Sequence, residues 1–411
     1  MQEEGKIEFL TTSGHKGFVL GFNVDVLIPP EHIDFFTNAW SAFILLGKSE
    51  VKFISLELLI KRSSEVKAPT MSTDQDFGFF GYEGYHTLDS IYAYLHFLAE
   101  VYPDIAEVFD LDGTTYEGRK IKAIRITNDI RNATSSKKPL VWLDGGTHSR
   151  EWISPATVMY IADALTGDVE HEKRTKVATL RDTFQFVIAP VINPDGYEYT
   201  KFDRYWRKNR KPSGCRFNMR DCDNECIVEE CYGSDPNRNW DVNFGVLGSS
   251  TDPCDISYPG AEPFDQECVQ IVRDYLIEEQ ATLKLYINYH SYSQLFLYPW
   301  GYTREVPIHN EHHTKVGEAF VDAVKSRTGM HYFSHRIVEI HQDHNNDLWY
   351  DVSGTSIDWV YKNLGVVNSY GIELRDTGKE NFKLSPDQIL PTGQENFAGL
   401  IAILDIIGED M

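Results

Sequence analysis

The stretch Pro139-Leu140-Val141-Trp142-Leu143-Asp144-Gly145-Gly146-Thr147-His148-Ser149-Arg150-Glu151 joins an apolar run, a glycine turn and two polar side chains that can bind a metal ion. The apolar run predicts a short buried strand, and the glycine pair predicts a turn directly after it. A helix is predicted from about Pro155 to Leu165. His148 and Glu151 are about one helical turn apart, so both can reach one ion.

A second apolar run, from Leu283 to Tyr289, ends at His290. Open α/β sheets place their sites at the carboxyl ends of the strands, where two strand ends can meet at one ion. A catalytic zinc ion takes three ligands of the His or Glu type and keeps a fourth position open for water. Although an isolated His-x-x-Glu pair is weak evidence, the two strand ends together predict a zinc site formed by His148, Glu151 and His290.

Composition sets the broad class of the protein. The 411 residues are 42% hydrophobic and 13% aromatic, which predicts one large globular domain and a small one. The net charge of −23 disfavours nucleic acid and anionic membranes as partners. No apolar run reaches about 18 residues, so no transmembrane helix is expected. The start, Met1-Gln2-Glu3-Glu4-Gly5-Lys6, lacks the apolar segment of a signal peptide.

The first 67 residues predict a small α+β unit. They contain two strand-like runs, Phe18 to Ile28 and Val51 to Leu58, and Pro29-Pro30-Glu31 opens a helix between them.

Residues 68–84 are interpreted as a linker. The chain from Lys61 to Gly81 is polar and aperiodic, and Lys61, Arg62 and Lys67 offer cleavage sites to a trypsin-like protease. An ordinary interdomain linker is the alternative. In residues 85–411, helices and apolar strands alternate, which predicts an α/β domain with a mixed central sheet and helices on both faces.

Five of the six cysteines fall within 40 residues and allow two interpretations. An even count beside a predicted catalytic zinc site favours disulfide bonds in an oxidising compartment, where the sequon Asn132-Ala133-Thr134 can be glycosylated. The spacing Cys222-x₃-Cys226-x₄-Cys231 instead suggests a structural zinc site. A rival metal cluster is formed by His309, His312 and His313, for which a solvated helix face is the favoured interpretation.

The chain resembles the pancreatic-type zinc metallocarboxypeptidases of the A/B subfamily over residues 75–408, and more weakly their propeptide over the first 65 or so. Five motifs carry this resemblance: Gly146-Thr147-His148-Ser149-Arg150-Glu151-Trp152, Tyr205-Trp206-Arg207-Lys208, Asn237-Arg238-Asn239-Trp240-Asp241, Asn288-Tyr289-His290-Ser291-Tyr292-Ser293-Gln294 and Glu373-Leu374-Arg375-Asp376-Thr377-Gly378. The resemblance implies the zinc carboxypeptidase fold, one zinc ion per chain and peptide C-termini as substrates. It also implies a zymogen activated by a trypsin-like protease, and a monomer is the default expectation.

The resemblance assigns substrate contacts that suit the residue types. A guanidinium can bind a terminal carboxylate through two hydrogen bonds, which makes Arg238, with Asn237, the clamp for that carboxylate. The same resemblance implies six further substrate contacts: Arg150, Ser291, Tyr292, Tyr350, Ile357 and Phe382. Tyr350 precedes a turn at Gly354, where a mobile loop can close over the substrate. Packing against Trp349 is the alternative for Tyr350.

Two residues are assigned to the chemical step. Arg207 matches the family's cation beside the scissile carbonyl, on whose oxygen negative charge builds. Glu373 ends the apolar run Val366 to Ile372 and matches the carboxylate that takes a proton from water and passes it to the leaving amine. The alternative for Glu373 is an ion pair with Arg375. A catalytically silent peptide-binding module is the competing function, although such a module has no need of Glu373.

Ile357 indicates A-type specificity, the removal of apolar or aromatic C-terminal residues. Members of the family that remove basic residues carry an acid at this position, at the base of the side-chain pocket. Asn345 is also expected to line the pocket, and the segment from His341 to Leu348 departs from the family pattern. B-type specificity for Lys or Arg therefore remains the alternative.

Cys231 and Cys254 match the family's common disulfide bond. The pairing of Cys215, Cys222, Cys226 and Cys268 stays open, and three of these four lie in an insertion of about a dozen residues between Arg207 and Asn237. The segment Val24-Asp25-Val26-Leu27-Ile28-Pro29-Pro30 resembles only the second half of the activation domain. We therefore expect an incomplete N-terminus and a secreted protein.

Overall fold

The computed structural model describes residues 8–10, 25–27, 80–128, 130–131, 138–167, 171–218, 227–339 and 351–409. The chain divides into two compact units, Met1–Gly81 and Tyr82–Met411. Among the predicted features that lie outside the described residues are the helix opened by Pro29, the strand from Val51 to Leu58, the cleavage sites at Lys61, Arg62 and Lys67, the glycosylation sequon and Tyr350.

In the first unit, two short antiparallel strands are described, β1 (Glu8–Leu10) and β2 (Asp25–Leu27). Strand β2 falls inside the predicted run from Phe18 to Ile28. The boundary between the two units falls inside the predicted linker, residues 68–84. The identity of the first unit as a propeptide stays a prediction.

The second unit is built on an eight-stranded sheet. Its strands are β3 (Ala106–Asp110), β4 (Lys122–Ile126), β5 (Leu140–Asp144), β6 (Gln185–Ala189), β9 (Leu283–Ser291), β10 (Leu295–Tyr298), β11 (Phe333–Arg336) and β12 (Asn368–Leu374). Their spatial order is β11-β10-β12-β9-β5-β6-β4-β3. The four central strands β12, β9, β5 and β6 are parallel, whereas β3, β4 and β10 pair antiparallel with a neighbour. The predicted mixed sheet is confirmed.

Eight helices are described in this unit: α1 (Leu88–Val101), α2 (Ile153–Thr166), α3 (His171–Thr183), α4 (Pro194–Tyr199), α5 (Glu267–Glu278), α6 (Asn310–Thr328), α7 (Ser356–Asn363) and α8 (Ile389–Glu409). Helix α1 begins after Thr87, whose hydroxyl accepts a hydrogen bond from the Ser90 amide. Helix α2 matches the helix predicted from Pro155 to Leu165. None of the described helices is long and apolar enough to cross a membrane.

Both faces of the sheet are covered, as predicted. Every residue of β5 is buried, which is typical of a parallel strand between two layers of helices. Trp142 packs in a core with side chains of α5 and α7, such as Val272 and Val360. Because side chains alternate along a strand, Val141 and Leu143 face the opposite layer. A separate antiparallel hairpin is formed by β7 (Pro212–Asn218) and β8 (Ile227–Tyr232).

The histidine cluster on α6 is not the predicted solvated face. His313 is fully buried and its ring packs against Tyr298, Tyr361 and Tyr370, with centroids 5.4, 5.3 and 5.7 Å away. His309 is exposed, and its Nδ1 atom forms a hydrogen bond of 2.8 Å with the Tyr361 hydroxyl. The rival metal interpretation also fails for the described residues, because these histidines do not bring three ligand atoms together.

Replacing His313 by Phe should flatten the pH dependence of stability in mild acid. Burial, helped by the neighbouring histidines, lowers the pKa of His313 to about 3, whereas the unfolded chain takes up a proton below about 6.5. The wild-type free energy of unfolding should therefore fall as pH drops from 6.5. Proton uptake by His313 in the unfolded chain should lower the free energy of unfolding by up to roughly 1.4 kcal/mol for each pH unit of this fall. Urea denaturation between pH 7 and pH 5 measures the difference.

His309→Gln is the matched control, because His309 is exposed on the same segment and should keep the wild-type slope. Equal slopes for His313→Phe and the wild type would show that His313 takes up its proton without unfolding.

Candidate metal centre and active site

The three predicted metal ligands meet at the carboxyl edge of β5 and β9, and all three are buried. His148 and Glu151 follow β5, and His290 is the eighth residue of β9. The Glu151 carboxylate lies 2.8 Å from His148 Nδ1 through Oε1 and 3.0 Å from His290 Nδ1 through Oε2. The two Nδ1 atoms are 3.1 Å apart. These ligand atoms therefore surround a common point.

Their spacing and chemistry fit a zinc ion. Ligand atoms around a tetrahedral zinc ion are about 3.3 Å apart when each is about 2.0 Å from the metal. Two imidazoles and one carboxylate also match the ligand set of catalytic zinc sites that keep a position open. Burial alone would raise the pKa of Glu151, but His148 and His290 hold that pKa well below its ordinary range. The carboxylate is thus in the form that binds a metal.

Asp235 is a site residue that the sequence did not predict. Its Oδ1 lies 3.0 Å from His148 Nε2, so this nitrogen carries the hydrogen and Nδ1 faces the ligand cluster with its lone pair. Its Oδ2 accepts two hydrogen bonds from Arg207, from Nε at 3.0 Å and from Nη2 at 2.8 Å. Although burial raises the pKa of Asp235, Arg207 and His148 hold it well below the usual value. The sequence signal that could have indicated this role is the position of Asp235, an acidic residue directly before the Pro236-Asn237 turn.

The predicted cations lie beside the ligand cluster. Arg207 Nη1 is 3.7 Å from Glu151 Oε1. Arg238 is almost fully buried, and its guanidinium donates to the carbonyls of Gly248 at 3.0 Å and Asn237 at 2.8 Å. The Asn237 amide oxygen accepts from the Ser356 backbone amide at 3.0 Å. These hydrogen bonds fix Arg238 and Asn237, and Arg207 lies against Glu151.

A glycine turn holds the segment after residue 350 against Arg238. Gly354 has φ +71°, and a Cβ atom there would lie 2.2 Å from the Arg238 carbonyl oxygen. A side chain is excluded by both the left-handed backbone and the close approach. The structure does not describe Tyr350, Asn345 or the rest of 340–350, so their predicted contacts lie outside the described residues.

Glu373 reaches the same edge from β12. It pairs in register with His290 of the parallel strand β9, so the two side chains are neighbours on one face of the sheet. Burial raises the pKa of Glu373 to about 7. The alternative ion pair with Arg375 is wrong, because Arg375 Nε instead donates to Glu395 Oε1 at 2.8 Å, inside the core.

The structure also describes five further predicted substrate contacts, Ile357, Arg150, Phe382, Tyr292 and Ser291. Ile357 is buried at the start of α7, where its Cδ1 lies 2.5 Å from the position that a Cβ atom on Gly371 would occupy. The Arg150 guanidinium stacks over the Phe382 ring at 3.9 Å, and the Tyr292 ring is 5.0 Å from that of Phe382. Ser291 is buried and donates its backbone amide to Glu151 Oε2 at 3.2 Å.

Cys231 and Cys254 form the disulfide bond that the resemblance implied. Cys268 is a buried free thiol, and burial raises its pKa to about 12. The positions of Cys222 and Cys226, and hence their pairing or the alternative zinc site, lie outside the described residues.

Two imidazoles and a carboxylate around one point, with a second carboxylate and two arginines beside them, define a mononuclear metal-dependent hydrolase. A family model described as zinc carboxypeptidase matches residues 91–399. The chain belongs to the zinc carboxypeptidase family and is a metallocarboxypeptidase, a hydrolase that acts on peptide bonds.

The chain is similar to carboxypeptidases of both named types. It is 37% identical to carboxypeptidase B of Astacus astacus, with 79% of this chain and 97% of that protein covered. It is 34% identical to carboxypeptidase A1 of Mus musculus, with 94% and 84% covered. The solved structure of bovine thrombin-activatable fibrinolysis inhibitor, in complex with tick carboxypeptidase inhibitor, is 31% identical with a TM-score of 0.66, and the match covers 80% of this chain and 99% of that one.

Replacing His290 by Ala should remove the zinc ion that we expect in each wild-type chain. The remaining pair, His148 and Glu151, lacks the third ligand that a stable catalytic site needs. Metal analysis after dialysis should give about one zinc per chain for the wild type and well under one tenth of that for the variant. His309→Ala is the control with the same chemical change on an exposed histidine. Equal zinc content in His290→Ala and the wild type would contradict this ligand assignment.

Proposed function

We propose that this metallocarboxypeptidase removes apolar or aromatic residues from peptide C-termini, with the site residues acting as follows. Arg238 binds the terminal carboxylate of the substrate through two hydrogen bonds, and Asn237 binds it beside Arg238. The anchoring of Arg238 by the Gly248 and Asn237 carbonyls supports this role, because a fixed guanidinium loses little freedom on binding. Only a chain end carries such a carboxylate, so the clamp selects exopeptidase cleavage.

Arg207 is proposed to stabilise the carbonyl oxygen of the scissile bond. Asp235 holds the Nε and Nη2 side of its guanidinium, which leaves Nη1 directed to the Glu151 side of the cluster. A cation fixed before the reaction needs no reorganisation when negative charge develops on the oxygen. Zinc, when bound by His148, Glu151 and His290, would supply a Lewis acid for the same carbonyl and would acidify the attacking water.

Glu373 is proposed as the proton carrier. It accepts a proton from the attacking water and delivers it to the nitrogen of the departing residue. Its place beside His290 on the sheet face supports this role, because the carboxylate then stands next to the ligand cluster without taking part in it. Tyr350 is proposed, from the resemblance alone, to close over the bound peptide.

The observation that carries the side-chain preference is the buried Ile357. An isoleucine at the base of the pocket offers no charge to a lysine or arginine side chain, and burying such a cation unpaired is costly. B-type specificity is the second candidate, favoured by the similarity to carboxypeptidase B of Astacus astacus.

The ratio of kcat/KM for hippuryl-Phe to that for hippuryl-Arg tests this preference, and we expect it to exceed about 10. Ile357→Asp should lower the ratio by about 100-fold or more, because the new carboxylate pairs with the guanidinium of the substrate. Ile357→Leu conserves the volume and apolar character, so it is the matched control and should keep the wild-type preference. Faster release of Arg by the wild type would overturn A-type specificity.

We also propose that the first unit is an activation peptide and that the protein is a secreted zymogen. The similarity to mouse carboxypeptidase A1 covers 94% of the chain and so extends beyond Tyr82–Met411 into the first unit. The Cys231–Cys254 disulfide bond supports an oxidising compartment. Lys61, Arg62 and Lys67 supply the basic residues at which a trypsin-like protease would cut.

Limited trypsin treatment should raise carboxypeptidase activity at least about tenfold, because a zymogen gains activity when its activation peptide is cut off. A variant with Lys61, Arg62 and Lys67 replaced by Gln should resist this activation. Its activity and cleavage pattern are compared by hippuryl-Phe hydrolysis and mass spectrometry. Full activity of the uncut chain would contradict the zymogen proposal without affecting the assignment of the active site.

A further inference from the structure

A line of buried polar side chains runs behind His290, on the side away from the other ligands. Asp144, the last residue of β5, pairs in register with Asn288 of β9. Both side chains are almost fully buried. Asn288 Nδ2 donates to Asp144 Oδ1 and, at 2.9 Å, to Thr147 Oγ1. None of these three residues has a role in the proposed mechanism.

The carboxylate fixes the direction of the Asn288 amide. An ionised carboxylate only accepts hydrogen bonds, so the nitrogen of the amide must face Asp144. The second Asp144 oxygen is taken by the Trp142 indole, whose Nε1 donates to Oδ2 at 2.6 Å. The Asn288 amide therefore cannot turn over without placing its oxygen against a carboxylate, and Oδ1 is left facing His290.

The oxygen of Asn288 in turn fixes the imidazole of His290. Asn288 Oδ1 is in hydrogen-bond contact with His290 Nε2, so Nε2 carries the ring hydrogen and the lone pair of Nδ1 faces Glu151. The other side chain near Nε2, Asn237 at 3.3 Å, presents its nitrogen there because its oxygen accepts from Ser356. Among the described residues, Asn288 thus supplies the acceptor for His290.

We propose that Asp144 is a positioning residue of the metal centre, acting through Asn288 to hold the ring orientation and tautomer of His290. This inference rests on the proposed role of His290 as a metal ligand. His148 is held directly by the carboxylate of Asp235, whereas His290 is held by a carboxylate one residue removed. Such outer partners orient the ligand ring and tune its basicity, and their loss typically weakens metal binding by about 10- to 100-fold.

Asp144→Asn tests the inference, because it changes an acceptor-only group to an amide of the same size. The Asn288 amide can then turn over and present its nitrogen to His290, which opposes the Nε2–H tautomer. We expect zinc affinity, measured by competition with a chromophoric chelator, to fall about 10- to 100-fold. We also expect the visible spectrum of the cobalt(II)-substituted protein to change.

Asp195→Asn is the matched control. Asp195 is a buried carboxylate that accepts from Thr115 Oγ1 at 2.8 Å and from the Glu117 amide at 2.9 Å. Its replacement makes the same chemical change at a carboxylate whose hydrogen-bond donors, Thr115, Glu117 and Arg119, are not metal ligands. We expect it to lower thermal stability while leaving zinc affinity and the cobalt spectrum unchanged.

The double exchange Asp144→Asn with Asn288→Asp should restore the wild-type zinc affinity to within about threefold. It places a carboxylate against His290 Nε2–H and an amide behind it, so the acceptor for His290 is again fixed. Should Asp144→Asn not fold, Asn288→Ala removes the same acceptor and carries the same expected loss. A merely structural role would lower stability in these variants without changing zinc affinity.

Wild-type zinc affinity in folded Asp144→Asn, or failure of the double exchange to improve on it, would overturn the positioning role. A wild-type protein that binds no zinc would instead overturn the proposed metal centre itself. The two failures are therefore distinguishable in one titration series.

Discussion

The parallel pairing of β5, β9 and β12 is the constraint on which the site depends. It brings three strand ends to one edge and fixes their register, so that Asp144 lies beside Asn288 and Glu373 beside His290. A shift of one residue would turn these side chains to the other face. The apolar cores on both faces, such as the one around Trp142, hold this register. Core packing therefore determines where the polar side chains of the site lie.

The same edge concentrates charge in a buried place, where the carboxylates of Glu151 and Asp235 are both paired. Burial of an unpaired carboxylate is costly, and the structure meets this cost by pairing Glu151 with two imidazoles and Asp235 with His148 and Arg207. These pairs hold the pKa values of both carboxyls low. These hydrogen bonds and ion pairs thus keep the two carboxylates ionised and the ligand side chains oriented before any metal or substrate binds.

The sequence predicted those features that follow from position along a strand. His290 and Glu373 come at the ends of apolar runs, so their meeting at one edge follows from parallel pairing alone. The role of Asp235 was not predictable in this way, because it depends on where a loop far along the chain folds back to His148. The burial of His313 was also missed, since helical spacing shows which histidines share a face but not whether that face packs against the sheet.

The central claim is that Glu373 serves a zinc centre formed by His148, Glu151 and His290 in cleaving C-terminal residues. The most direct measurement is hippuryl-Phe hydrolysis after trypsin treatment by the wild type and Glu373→Gln, each with and without 1,10-phenanthroline. We expect the chelator to abolish wild-type activity, and the variant to bind zinc normally but to lose about 10²- to 10⁴-fold in kcat. Wild-type kcat in zinc-loaded Glu373→Gln, or activity that survives the chelator, would contradict the account.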